Sequence, residues 1–124
     1  MKFKKVYLFL FLWCVMIFVF SSIPNAKISD KSLADFVIRK TAHITEYMVL
    51  YILSYYSFNK KHKYALVFSI FYAASDEFHQ RFTPGRGPNI KDVFIDSIGI
   101  MFGYLIIWKN YLQKLNPKIV KLLS

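Results

Sequence analysis

The stretch Val6-Tyr-Leu-Phe-Leu-Phe-Leu-Trp-Cys-Val-Met-Ile-Phe-Val-Phe20 is an uncharged, strongly apolar run. Lysines precede it, and Pro24 ends it after Ser21-Ser22-Ile23, so that it approaches the ~20 residues a membrane-spanning helix needs. A signal peptide has the same layout of basic start, apolar middle and small-residue end. Further apolar runs follow in the chain, and they favour a retained span over a cleaved signal.

The composition supports the same interpretation. The chain has 124 residues, of which 56% are hydrophobic and 19% aromatic, and its net charge is +10. A soluble domain of this size has too little interior to bury so much apolar surface. The basic residues fall between and beyond the apolar runs, which is typical of membrane-flanking charge and disfavours nucleic-acid binding. Cys14 has no second cysteine to pair with.

Local signals divide the rest of the chain into helices. Ser32 and Asp35 have capping-box spacing, which predicts a helix start near Leu33. The short basic turn 59–63 predicts an antiparallel hairpin between the second and third helices. Breakers at 84–88 end the third helix near residue 81, and Asn89 can cap the fourth.

We therefore predict an all-α fold, a polytopic integral membrane protein with four transmembrane helices in an antiparallel bundle. The single domain covers residues 1–124, with spans near 5–23, 41–58, 63–81 and 90–108. The segment 109–124 is a basic tail, partly amphipathic and interrupted by Pro117, which we expect on the cytoplasmic membrane surface.

The distribution of basic residues predicts the orientation. With four spans, both termini lie on one side, together with ten of the 17 lysines and arginines. Because the more basic side faces the cytoplasm, we expect a cell-membrane protein with cytoplasmic N- and C-termini.

Polar side chains converge at the other side. His43 and Glu46 begin the second span, residues 76–80 end the third, and Asp92 and Asp96 begin the fourth. Because the chain crosses alternately, all of them lie at one face of the membrane, the outer one on this orientation. An ionisable group within a span costs about 2.5–3.5 kcal/mol even on mild scales, and it is a functional candidate by default.

Helical spacing refines this arrangement. His43 and Glu46 share one helix face, as do Asp92 and Asp96. Gly99 continues the side of Asp96 with Gly103, and this Gly-x-x-x-Gly spacing lets a neighbouring helix approach closely. Asp96 lies deepest and has no basic partner in its own helix.

Purely structural roles are also open for several of these residues. Asp92 can act as an anion near a helix N-terminus, and Glu77 can form an ion pair with Arg81. We expect His62 in the cytoplasmic turn to be solvated, and the many Phe and Tyr rings to face lipid or the interface.

The motifs resemble those of VanZ-like membrane proteins. They are Ser21-Ser22-Ile23-Pro24, Lys40-Thr-Ala-His43-Ile-Thr-Glu46-Tyr47, Ser75-Asp-Glu-Phe-His-Gln80, the Pro84-Gly-Arg-Gly87 turn and Asp92-Val-Phe-Ile-Asp96-Ser-Ile-Gly99. The family is named after a protein linked to teicoplanin resistance, so the resemblance implies a cell-envelope role without a defined reaction. The motif positions that carry over as a candidate catalytic or ligand-binding cluster are His43, Glu46, Asp76, Glu77, His79, Gln80, Arg86, Asp92 and Asp96.

Three functions remain open. The cluster can bind or modify an envelope lipid, a lipid-linked cell-wall precursor or a glycopeptide, with arginines such as Arg86 contacting anionic groups. It can instead belong to a hydrolase that uses acid–base chemistry or a metal ion; the sequence identifies no cofactor and no definite ligand set. A proton path is the third, although no polar chain continues to the inner face. Membrane lipids are expected partners in every case, and the sequence does not indicate the oligomeric state.

Overall fold

The computed structural model describes residues 5–22, 33–80, 82, 90–109 and 111–123. Throughout these residues, all regular secondary structure is α-helical and no strand occurs. The helices are α1 Lys5–Ser22, α2 Leu33–Ser57, α3 His62–Gln80, α4 Ile90–Trp108, α5 Tyr111–Leu115 and α6 Pro117–Leu123. The four long helices lie where the apolar runs predict them, with ends that differ by one residue at most from the expected helix limits. The cap residues Ser32 and Asn89 lie outside the described ranges.

Contacts between helices define an alternating up-and-down bundle. Cys14 and Phe18 of α1 contact Tyr72 and His79 of α3 in the same order, so these two helices run parallel. The helix α2 lies at the centre, since it contacts α1, α3 and α4. Consistent with this position, Leu50 of α2 is fully buried.

The hairpin between α2 and α3 is confirmed, and its turn has a defined geometry. The Lys60 amide donates to the Tyr55 carbonyl oxygen at 2.8 Å. Of the two backbone hydrogen bonds in a Schellman motif, this is the one that spans more residues. Asn59 and Lys60 have φ values of 57° and 62°. Asparagine tolerates this left-handed region better than most residues, which suits it to end α2.

The tail folds back on the bundle. The Asn116 side chain accepts a hydrogen bond from the Lys118 amide at 3.1 Å, which caps the helix that Pro117 begins. Pro117 therefore starts α6 as well as interrupting the tail. Leu123 is only 7% exposed, and α6 contacts both α1 and α2.

Across the part of the chain that the structure describes, no helix combines the length and apolar content required for crossing a membrane.

Candidate functional site

The central contact of the candidate site joins α2 to α4. The Nδ1 atom of His43 lies 3.1 Å from the Oδ1 atom of Asp96. The Asp96 side chain is 2% exposed and that of His43 is 21% exposed. A buried carboxylate needs a donor, and the imidazole supplies one when Nδ1 carries a proton. Asp96 therefore has a basic partner, which comes from another helix.

Two glycines allow this contact. A Cβ atom on Gly99 would overlap the Ile44 carbonyl oxygen, and one on Gly103 would lie 2.9 Å from the Met48 carbonyl oxygen. The α4 backbone therefore lies directly against the α2 backbone, as the Gly-x-x-x-Gly spacing predicts. This close approach places Asp96 within reach of the short His43 side chain.

A second contact joins α2 to α3 through Tyr47. The Tyr47 hydroxyl donates to the Oδ2 atom of Asp76 at 3.4 Å, and both side chains are buried. The same tyrosine lies within electrostatic reach of Asp96 and Glu46. Tyr47 thus connects the acids of three helices, since Asp76 is on α3 and Asp96 is on α4.

The other residues at the end of α3 face different neighbours. His79 stacks on Phe18 of α1, with ring centroids 4.3 Å apart. Glu77 is buried at 9% exposure. The structure therefore brings His43, Asp76 and Asp96 together around Tyr47, whereas His79 contacts α1.

Three of the predicted site residues cannot be placed in this geometry. Arg86 lies outside the described residues, and so does Arg81, the predicted partner of Glu77. The helices include Gln80 and Asp92, but their side chains are also outside the description. Among the residues that are described, no group of three or more His, Cys, Asp or Glu side chains is arranged to hold a metal ion.

A groove of about 480 Å³ runs between α1 and α2 beside this cluster. Its floor includes Trp13, whose Nε1 atom donates to the Glu46 carbonyl oxygen at 2.9 Å. Its lining is mostly apolar, and Glu46 is its acidic member. The lining residues are Trp13, Val37, Ile38, Thr41, Ala42, Thr45 and Glu46. A mostly apolar groove with one carboxylate in its lining is suited to a ligand with an apolar part and a donor-bearing polar part.

The sequence prediction missed the part that aromatic residues take in the interior. Tyr47 and Tyr51 are fully buried, although we expected tyrosines at the lipid or the interface. The missed signal was position: Tyr47 follows His43 by four residues and Tyr51 follows Tyr47 by four, so all three share one helix face. That face is the one on which α2 carries its polar residues.

The expectation that His62 is solvated was wrong. It lies within α3, it is partly buried, and its Nδ1 atom is 2.6 Å from the Tyr51 hydroxyl. The rings of Tyr55 and Tyr104 lie 4.6 and 4.7 Å from the imidazole. The helix α3 begins at His62, so this residue lies in the packed end of the bundle. Burial lowers the pKa of His62 below its ordinary value.

No curated protein matched the chain. No solved structure matched it either. The family model described as VanZ/LLP1 matches residues 6–113, which include every position of the candidate cluster. This match confirms the resemblance that the motifs indicate, and the chain belongs to the VanZ/LLP1 family.

Proposed function

We propose that this chain is an integral membrane protein of the cell envelope that binds an envelope lipid or a lipid-linked cell-wall precursor. The ligand occupies the groove between α1 and α2, and through this binding the protein influences susceptibility to glycopeptides such as teicoplanin. The observation that carries the proposal is the position of Glu46, which lines the apolar groove and directly precedes Tyr47 of the polar cluster in α2.

The distribution of side chains supports a lipid environment. Phe11, Phe71 and Phe94 are between 65% and 69% exposed and lie on three different helices. The acids Asp76 and Asp96 are instead buried. Large exposed apolar surfaces mark contact with a membrane or a partner.

The expected orientation places the groove at the outer half of the membrane. The more basic end of the bundle, with both termini, faces the cytoplasm. The apolar part of the ligand lies against the apolar lining of the groove, and its hydroxyl or amine donors meet the Glu46 carboxylate. Arg81 and Arg86 stay sequence-based candidates for contacting its anionic groups.

The test is to fill the groove without changing the cluster. Ala42 is exposed and lines the groove, so Ala42→Phe obstructs it. Ala74 is exposed on α3 outside the groove, and Ala74→Phe is the matched control. Both variants and the wild-type chain are expressed in a glycopeptide-susceptible host, at equal membrane abundance, and the inhibitory concentration of teicoplanin is measured.

We expect the wild type and Ala74→Phe to raise the inhibitory concentration and Ala42→Phe to return it to the vector level. Mass spectrometry of the purified proteins should find a co-purifying lipid that Ala42→Phe loses. Equal resistance from Ala42→Phe and Ala74→Phe would refute the groove as the binding site. Recovery of the chain in the soluble fraction would refute the membrane location.

A second candidate function is hydrolysis, and the His43–Asp96 contact favours it. A buried carboxylate that holds Nδ1 of a partly exposed imidazole fixes the tautomer and stabilises the protonated ring, which is the arrangement of a general base. Envelope lipid extract incubated with the protein would then release a head group, and His43→Gln would abolish the release. Binding without any released product would exclude this candidate.

A further inference from the structure

A second pocket lies at the opposite end of the bundle, away from the polar cluster. Its volume is about 110 Å³, and the α2–α3 turn, the end of α4 and the tail enclose it. The lining residues are Tyr55, Tyr56, Lys60, Ile106, Ile107, Gln113 and Val120. None of them belongs to the candidate cluster or to the groove, so this pocket needs a separate explanation.

The lining chemistry favours an anion. Lys60 carries the formal charge of the pocket, and Tyr55 and Gln113 bring a hydroxyl and an amide that can donate hydrogen bonds. The Lys60 backbone is fixed by its hydrogen bond to the Tyr55 carbonyl oxygen. A cation on a fixed backbone beside neutral donors is suited to a phosphate group.

The tail next to the pocket has two distinct surfaces. Val120 and Leu123 face the bundle, and at 100° per residue Ile119 and Leu122 lie to one side of that inner face. Ile119 and Leu122 are 40% and 48% exposed. Lys118 and Lys121 lie farther around the helix from the inner face, and both are exposed. The tail thus presents an apolar flank next to a basic outer face.

The sequence of the tail favours a partner with negative charge. Residues 109–124 contain four lysines and no acidic side chain. Leu115 of α5 is 82% exposed and is a further exposed apolar side chain of the tail. A soluble anion would leave this flank in water, whereas a phospholipid satisfies the lysines with its phosphate and the flank with its acyl chains.

We propose that this end of the bundle binds an anionic phospholipid. The phosphate lies at the pocket beside Lys60 and Gln113, the acyl chains cover Ile119 and Leu122, and Lys118 and Lys121 attract neighbouring anionic head groups. The binding locks the tail onto α2 and α4. It is independent of the groove ligand, because the two sites share no residue.

The test uses the full-length chain in a neutral detergent. Thermal unfolding is followed while phosphatidylglycerol, phosphatidylcholine or inorganic phosphate is added at equal concentration. A ligand that binds only the folded state raises the unfolding temperature as its concentration rises. We expect phosphatidylglycerol to raise it more than phosphatidylcholine, inorganic phosphate to leave it unchanged, and added salt to reduce the difference.

Matched variants locate the site. Lys60→Asn removes the pocket charge with a residue that accepts a positive φ, and it should lose most of the phosphatidylglycerol response. Lys63→Gln removes the charge of a nearby exposed lysine that does not line the pocket, and this variant should keep the response. The double variant Lys118→Gln/Lys121→Gln should lose part of the response without affecting the pocket.

Three results would overturn the proposal. Equal responses to the two lipids would remove the requirement for an anionic head group. An equal loss of the phosphatidylglycerol response in Lys60→Asn and Lys63→Gln would mean that the lysines attract the lipid without a specific pocket. A response to inorganic phosphate as large as that to phosphatidylglycerol would identify a free-anion site. Loss of teicoplanin resistance in Ala42→Phe with an intact lipid response would leave this inference standing.

Discussion

The imidazole of His43 and the carboxylate of Asp96 lie 3.1 Å apart, although 53 residues separate them in the chain. The contact connects the first half of α2 to the first half of α4, which run parallel. Among the described acids of the candidate site, Asp96 is the most buried, and this contact gives it a partner while His43 stays partly exposed. The cluster is therefore a set of paired groups held by close helix packing.

The His43–Asp96 pair should show energetic coupling. We expect a double-mutant cycle with His43→Gln and Asp96→Asn to give a coupling free energy between about 0.5 and 3 kcal/mol, because each single change already removes the contact between the imidazole and the carboxylate. The measurement is thermal unfolding of the purified variants. A cycle that pairs Asp96→Asn with Thr45→Val, on an exposed face of α2, should be additive. Additivity in the first cycle would contradict a direct interaction.

Removal of the Tyr47 hydroxyl should destabilise the fold. Tyr47→Phe keeps the buried ring but leaves the Asp76 carboxylate without this donor, at a cost of about 1–3 kcal/mol in the free energy of unfolding. Tyr64→Phe is the control, since Tyr64 is 52% exposed. Chemical denaturation of both variants gives the comparison, and equal stability of the two would show that the Tyr47–Asp76 bond contributes nothing.

Alanine at the two glycines of α4 should separate α4 from α2. We expect Gly99→Ala to cost about 3 kcal/mol and Gly103→Ala about 1 kcal/mol, because the added methyl meets backbone in both cases and the overlap is greater at Gly99. Ser97→Ala, at an exposed position of the same helix, should change stability little. Unfolding temperatures that rank Gly103→Ala as the more damaging change would contradict the observed packing.

The stability of the opposite end should depend on pH through His62. Burial lowers its pKa in the folded state, so the unfolded chain takes up a proton first as the pH falls below about 6.5. The free energy of unfolding therefore decreases from that pH downward and levels off below the lowered pKa. In the protonated imidazole both ring nitrogens carry hydrogen, so Nδ1 can then only donate to the Tyr51 hydroxyl oxygen.

His62→Phe should lose this part of the pH dependence while it keeps a ring among Tyr55 and Tyr104. The difference in unfolding temperature between wild type and His62→Phe, measured at pH 8 and pH 5, isolates the contribution of His62. A difference that grows in favour of wild type at pH 5 would contradict the sign of the shift.

Much of the fold could be predicted from the sequence. Helix positions follow from apolar runs and local breakers, and these are properties of neighbouring residues. The α2–α3 hairpin follows from the shortness of its turn. Because the chain alternates in direction, the sequence also predicts that the site residues of α2, α3 and α4 share one end of the bundle.

The pairing of the site residues could not be predicted. Spacing along α2 shows that His43 and Glu46 share a face, but not which neighbour meets that face. Asp96 finds His43 only because two glycines bring the α4 backbone against α2. His79 turns to Phe18 of α1, a contact that no spacing within α3 indicates.

The all-helical architecture, the family and the identity of the polar residues follow from the sequence, because local helix propensity and motif spacing depend only on the order of residues in the chain. Three features follow only from the packing of the helices. The Tyr47 hydroxyl donates to Asp76, Glu46 borders a groove, and His62 lies among tyrosines. Each of these depends on how the helices rotate and approach when they pack.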